Sequence, residues 1–430
     1  MERSLIKNLE KNKLSEIRGM INKVRDTKYM VFIMIKDRSG FIQVSIDKNE
    51  QNDLANQASK ITTGSIVSFK GVMKYSEYVK NGGKEFIPES FEVISLADII
   101  PLEENANPDT KLDYRWLDLR TDKNEHLFEI QSAFVKYLRE YLYNNDFTEI
   151  HTPKLLGAAS ESGSDVFEVK YFDTKAYLAQ SPQFYKQMAI ASGIERVFEV
   201  APAFRAENSN TNRHCTEFTS FDVEFAYIDS YKDVMHLEQE MLKYALKNLK
   251  HIYGEFIKER YGIEVVAPSG DFPIVDLNEL LNELNKRYGY VIPESDIGDM
   301  NAETEKLAYK YAMEEYNSEF IFVTGFNAKK RAFYHMRDEN GIPLGYDLIW
   351  RGMEITTGAQ REHRFNELQA QAKEKGLGKD VEFYLQFFKY GCPPHGGFAI
   401  GVDRITLLLL GLEHIREAQF LFRGPNRLNP

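Results

Sequence analysis

Cysteine is scarce in these 430 residues: Cys215 and Cys392 are the only two, which excludes a disulfide framework and a four-cysteine zinc site. No stretch approaches the roughly 20 apolar residues that a membrane helix requires. The first residues, MERSLIKNLEKNKLSEIRG, scatter charges where a secretory signal would need an apolar run. These absences lead us to expect a cytoplasmic chain with no membrane partner. Also missing are an internal repeat, a G-x-G-x-x-G after a strand pattern and a G-x-x-x-x-G-K-[ST], so any nucleotide must be held by neither a dinucleotide fold nor a P-loop.

What is present describes a folded protein, with 43% hydrophobic and 28% charged residues. The length exceeds one ordinary core, and two domains are expected: residues 1–100, a linker 101–123, and 124–430. The net charge of −11 argues against a protein that coats nucleic acid indiscriminately, DNA included. It is unevenly spread, because residues 1–100 hold 16 Lys and Arg against 13 Asp and Glu. A mildly basic first domain suits a phosphate backbone, although so small an excess is also what chance would produce.

Five short β patterns fill that first domain, at Glu16 to Arg25, Tyr29 to Asp37, Phe41 to Ile46, Gly64 to Met73 and Phe86 to Ile94. Arg38-Ser39-Gly40 makes a turn, and Leu54, Ala55, Ala58 and Ile61 fall at helical spacing between the third and fourth strands. Five strands and that helix predict an OB-fold barrel. Pro101 to Asp113 reads as linker. Beyond it come an amphipathic helix from about Asn124 and a long helix opened by the capping box Ser230 and Asp233. Strands are expected at Phe320 to Thr324, Ala332 to Arg337 and Leu344 to Arg351, without regular βαβ alternation. The fold class is therefore α+β, its second domain built on a mainly antiparallel sheet flanked by helices.

Three segments concentrate the chemistry. Phe204-Arg205-Ala206-Glu207, followed by Arg213-His214, offers an arginine fork for phosphate or carboxylate, with a glutamate expected on the same side of a strand. The stretch Asp347 to Arg364 supplies hard oxygens from Asp347, Glu354 and Thr357, which suit Mg²⁺, and the cations Arg361 and Arg364. Pro393 to Arg404 holds glycines that admit a flat ligand or close helix packing, then Arg404 at a strand-to-helix junction. Each alone has a bland reading, as a surface ion pair, a solvated turn or a packing device.

In order along the chain, Phe147 to Pro153, Phe204 to Glu207 and Pro393 to Arg404 resemble motifs one, two and three of the class II aminoacyl-tRNA synthetases. The stretches AQSPQFYKQ and WRGMEITTGAQREHR, and the tail Arg427 to Pro430, are similar to the aspartyl branch of archaeal and eukaryotic type. The likeness runs from about Ser15 to Pro430.

The resemblance implies a homodimer joined near Pro153, activation of L-aspartate by ATP, and transfer to tRNA(Asp). Arg205 would hold the α-phosphate and the substrate carboxylate, with Arg404 at the base and γ-phosphate. Glu207, Arg213, His214, Cys215, Glu354, Gly401, Val402 and Asp403 match positions that line ATP. Glu354 and Thr357, with Asp347 as a second candidate, would hold Mg²⁺. Glu161, Gln183, Lys186, Thr357 and Arg361 match the aspartate pocket, Lys186 and Arg361 supplying its cations. Arg25, Phe32 and Gln43 fall where the family contacts an anticodon.

Ala399, Asp403, Thr357 and Ala359 depart slightly from the usual residues. Asn22 and the loop Asp26 to Tyr29 depart more, which leaves tRNA(Asn) open as a second acceptor. The rival readings are an asparaginyl-tRNA synthetase, which would differ at Lys186 and Arg361, a non-catalytic RNA-binding paralogue, which would lose Arg205, Glu354 or Arg404, and an asparagine synthetase, which needs no OB domain.

Overall fold

A computed structural model describes residues 2–79, 83–103, 105–157, 166–208, 211–377 and 379–430. The chain divides into two compact units, Met1–Asp118 and Leu119–Pro430.

The first unit is a closed barrel of β1 (Leu14–Asp26), β2 (Met30–Asp37), β3 (Gly40–Asp47), β4 (Ile66–Tyr75) and β5 (Lys84–Ser95), ordered β1-β2-β3-β5-β4. Strict alternation makes it. Val31, Ile33 and Ile35 of β2 and Val44 and Ile46 of β3 are fully buried, while Phe32 and Met34 between them face outward. Helix α1 (Asn52–Ala58) adds Ala55 and Ala58 to this core. The expected strands, turn and helix are thus all found. The linker differs, since it contains α2 (Pro108–Asp113) and α3 (Arg115–Asp118). Asn107 caps α2 through the Thr110 N–H, and Pro108 stands where its missing N–H costs nothing.

The second unit begins with α4 (Leu127–Tyr143), β6 (Thr148–Glu149) and a small sheet of β7 (Leu155–Leu156), β8 (Glu168–Tyr171) and β9 (Thr174–Leu178). Next come α5 (Gln183–Ala191), β10 (Arg196–Phe204), β11 (Glu217–Ala226) and the long α6 (Tyr231–Tyr261). The Ser230–Asp233 capping box is formed. After it follow β12 (Ile274–Asp276), α7 (Leu277–Tyr288), α8 (Ala302–Tyr316), β13 (Phe320–Thr324), β14 (Gly345–Trp350) and β15 (Met353–Arg361). The chain closes with α9 (Phe365–Glu374), α10 (Glu382–Lys389), β16 (His395–Gly401), α11 (Val402–Leu410) and α12 (Ile415–Ala418).

Eight strands form one sheet, ordered β12-β13-β14-β15-β16-β11-β10-β6. Its interior pairs are antiparallel, as expected, but both edges, β12 with β13 and β10 with β6, are parallel. The expected strand Ala332 to Arg337 does not form. His335 and Arg337 make only isolated bridges, to Arg361 and Pro343.

The sheet's two faces have different chemistry. One packs on α6, where the Tyr346 hydroxyl donates to Glu238 at 2.7 Å and a Cβ on Gly396 would meet Val234 at 2.7 Å. Glu238 is completely buried, and burial pushes it up to about 8, against the opposing influence of the nearby Thr356 and Tyr346 hydroxyls. The folded chain therefore keeps a proton that the unfolded chain releases, and stability falls as pH rises from 4.5, the ordinary value, towards 8. Glu238→Gln should remove that loss. We expect its melting temperature to match the native chain near pH 5 and exceed it at pH 8, by the equivalent of up to about 3 kcal/mol. An advantage equal at both pH values would contradict a buried acid.

Candidate functional site

The opposite face of the sheet carries the polar residues, and a register shift puts them there. Between β14 and β15 the pairs run Leu348 to Thr356 and then Ile349 to Glu354, which leaves Ile355 as an extra residue. A regular strand would turn Glu354 and Thr357 to opposite sides. The bulge brings them to one side, where the Thr357 hydroxyl donates to Glu354 Oε1 at 3.0 Å.

These two residues, with the loop joining β10 to β11 and the start of α11, enclose a cavity of about 180 Å³. From the loop come Arg205, Glu207, Arg213, His214 and Cys215; from β16 and α11 come Gly401, Asp403 and Arg404. Sequence placed Arg205 and Glu207 on one strand, but β10 ends at Phe204. Arg205 extends the pairing by one N–H, to the Thr216 carbonyl, and lies over the Phe218 ring at 5.2 Å. Val402 is not among the residues lining this cavity and is buried instead.

Glu354 is held at every side but one. Arg404 donates to its carbonyl at 2.9 Å, Glu305 accepts from its N–H at 3.0 Å, and Thr357 takes Oε1. Oε2 is left, 3.7 Å from Arg404. Burial would raise this carboxyl, but Arg404 and Arg331 outweigh it and keep it below its usual range. Burial, with Arg404 and Arg213 nearby, lowers His214, while burial pushes the Cys215 thiol up to about 12 and Asp403 up to about 6. Asp347 stands opposite Thr357 in the ladder, near Glu354, and is paired from its other side. Arg331 grips both its oxygens at 2.8 and 2.6 Å, and it does not reach the cavity wall.

Four residues beyond Thr357 along β15, about 13 Å at strand rise, lies a second constellation. Lys186 and Gln183, one turn apart on α5, meet Asp222 and Glu224 of β11 and Arg361 of β15. Lys186 Nζ is 2.9 Å from Asp222 and 3.4 Å from Glu224, and Arg361 donates to Glu224 at 2.9 Å and to the Gly397 carbonyl at 2.9 Å. Lys186 is 0% exposed and Arg361 3%. Glu224, raised by burial and lowered more by Arg361 and Lys186, stays ionised. A Cβ on Gly397 would lie 2.3 Å from its carboxylate, so this glycine makes room for the cluster. Burial pushes His395 down to about 4, and it sits neutral between the Pro393 carbonyl and Gln187.

Asp222 and Glu224 were not singled out from sequence. Their signal was the alternation Ser220, Asp222, Glu224 against Phe221, Val223, Phe225, which puts carboxylates on one face of a central strand. Arg364, by contrast, turns to Glu362 at 2.7 Å and half-exposed surroundings. Glu161 lies outside the described residues.

In the first unit Arg25, Phe32 and Gln43 line one cavity of about 730 Å³, together with Lys23, Met34 and Tyr78. Cross-strand pairing explains it: Arg25 opposes Phe32, and Met34 opposes Gln43, all on the barrel's outer side. Phe32 is half-buried and so is not a barrel core residue.

Known proteins share this architecture. A family model described as tRNA synthetases class II (D, K and N) matches residues 107–423, and one for the OB-fold nucleic acid binding domain matches residues 16–94. The Aspartate--tRNA(Asp/Asn) ligase of Aeropyrum pernix is 40% identical over 96% of this chain and 94% of its own length. The Aspartate--tRNA(Asp) ligase of Pyrococcus furiosus is 37% identical over 96% of both. Among solved structures, an asparaginyl-tRNA synthetase from Pyrococcus horikoshii complexed with asparaginyl-adenylate superposes with a TM-score of 0.91, at 32% identity and 100% of both chains. Its barrel, its eight-stranded sheet and these matches together show that the chain belongs to the class II tRNA synthetases of the D, K and N group.

Proposed function

We propose that this chain is an aspartate–tRNA ligase, which joins L-aspartate to ATP, releases pyrophosphate and passes the aspartyl group to tRNA(Asp). The observation that carries the reading is the buried pair of cations, Lys186 on α5 and Arg361 at the end of β15, the strand whose other end walls the 180 Å³ cavity. Members of the family use ATP, and the names of the relatives favour aspartate over asparagine.

In this reading the adenylate forms where the two constellations meet. The substrate's side-chain carboxylate faces Lys186 and Arg361, its ammonium faces the carboxylates around Gln183 and Asp222, and Arg205 bridges its α-carboxylate and the α-phosphate. Charge then builds on the phosphate as the carboxylate oxygen attacks, and a fixed guanidinium stabilises it without reorganising. Arg404 and Arg213 hold the outer phosphates and base, with Glu207, His214 and Gly401 completing the wall. The hydroxyl of Thr357 and Oε2 of Glu354 are hard oxygens that fit Mg²⁺, which would screen phosphate charge when bound. Asparagine would replace the side-chain carboxylate by an amide, so its ammonium would enter a cluster of already balanced charges with no side-chain carboxylate to offset it.

Arg25, Phe32 and Gln43 would receive an anticodon base, Phe32 by stacking. A second copy of the chain would pack near Pro153, where Leu155 is 49% exposed. ATP and tRNA as substrates fit work in the cytoplasm; no described helix is long and apolar enough to cross a membrane. Charging of purified tRNA(Asp) and tRNA(Asn) transcripts with labelled aspartate tests the reading. We expect tRNA(Asp) to be charged. Charging of tRNA(Asn) as well would assign the dual specificity that the Aeropyrum name carries, and charging of neither would refute the proposal.

Lys186→Met should lower kcat/KM for aspartate by about 100-fold or more, as expected for a lost buried charge partner. The KM for ATP should stay within about threefold. Pyrophosphate exchange measures both, and an unchanged aspartate response would remove Lys186 from the pocket. Phe32→Ala should reduce tRNA charging by about 10-fold to 100-fold while leaving exchange intact; equal loss of the two activities would make Phe32 a folding residue instead.

A further inference from the structure

Glu305 belongs to none of the three motif segments. It stands in the first turn of α8, 92 residues after Arg213, yet the Arg213 guanidinium reaches it with NH1 at 2.7 Å and NH2 at 3.1 Å. The same Oε2 that takes NH1 also accepts the Glu354 N–H at 3.0 Å. One carboxylate therefore joins the cavity's loop wall, through Arg213, to its β15 wall, through the backbone of Glu354.

A surface ion pair of this kind would contribute little, but this one is inside. The side chain of Glu305 is 4% exposed and that of Arg213 21%. Withdrawing Arg213 would leave Glu305 a buried carboxylate near Glu354, an arrangement strongly disfavoured. Arg213 consequently has a single resting place. A guanidinium carries five N–H donors, and the fork on Glu305 engages NH1 and NH2 end-on, so donors remain for an incoming phosphate oxygen. Without Glu305 the long Arg213 side chain would have to be ordered by the ligand itself, at an entropic cost that appears as weaker binding.

We propose that Glu305 is a positioning residue of the nucleotide cavity, fixing Arg213 and the start of β15 at their working separation before ATP arrives. This rests on the cavity being the ATP site. It adds to the motif residues a carboxylate that touches no reacting atom.

The test is Glu305→Gln, with ATP affinity measured by calorimetry in the presence of Mg²⁺ and both KM values by pyrophosphate exchange. An amide still accepts from the Glu354 N–H but offers no charge to Arg213. The expected result is a Kd and KM for ATP raised about tenfold, with the KM for aspartate within about twofold. An ATP Kd unchanged within about twofold, or equal rises in both KM values, would overturn the proposal. Should the glutamine variant not fold, Glu305→Asp, which keeps the charge and withdraws it by one methylene, is held to the same ratio. The native chain separates the two claims. ATP binding without aspartate-dependent exchange would overturn the aspartate reading and leave the comparison of Kd values to judge Glu305, whereas absence of ATP binding would overturn both.

Discussion

Four charges buried side by side, Lys186, Asp222, Glu224 and Arg361, set the terms for the rest of the second unit. Each would be costly alone in the interior, and only mutual pairing makes the set tolerable. Pairing at 2.9 to 3.4 Å demands that α5, β11 and β15 be placed to a fraction of an ångström. Gly397 meets that demand by having no side chain, and neutral His395 adds no further charge. The cluster is balanced as it stands. A ligand that sets both an ammonium and a side-chain carboxylate against it would keep it so, and one with an amide in place of that side-chain carboxylate would not.

The same strands run on into the 180 Å³ cavity, and the bulge at Ile355 decides what they present there. With it, Glu354, Thr357 and Arg361 share a face; without it, Glu354 would point to α6. Beneath, that opposite face is filled by Tyr346, Glu238 and the glycines that admit them. A Cβ on Gly358 would lie 2.3 Å from the Tyr346 ring. The glycines thus serve two ends: Gly358 and Gly396 permit packing of sheet against ring and helix, whereas Gly401 borders the cavity, where a Cβ would meet the Arg404 side chain first, at an ordinary 3.7 Å.

Local signals carried much of this in the sequence. The barrel could be read because β2 and β3 alternate strictly, and α6 because Ser230 and Asp233 form a cap that depends on neighbours alone. Asn107 followed by Pro108 was a helix start of the same kind, overlooked within an acidic, proline-containing stretch. What could not be read depends on distant partners. Periodicity does not show a bulge, so the joint orientation of Glu354 and Thr357 was available only through resemblance. Asp222 and Glu224 look like a solvated strand face until Lys186 and Arg361 are brought to them, and nothing near Asp347 in the chain announces its pairing with Arg331. Ala332 to Arg337 has the composition of a strand, but it lacks a neighbour able to pair beyond isolated bridges.

The account stands or falls on the claim that the buried cations select a carboxylate. Pyrophosphate exchange by the native chain, with aspartate and asparagine offered in parallel under identical ATP and Mg²⁺, measures that directly. A preference for aspartate of about 10³-fold or more in kcat/KM is predicted, because a site built for a charged partner rejects the neutral analogue strongly. Equal use of the two amino acids, or a preference for asparagine, would contradict it.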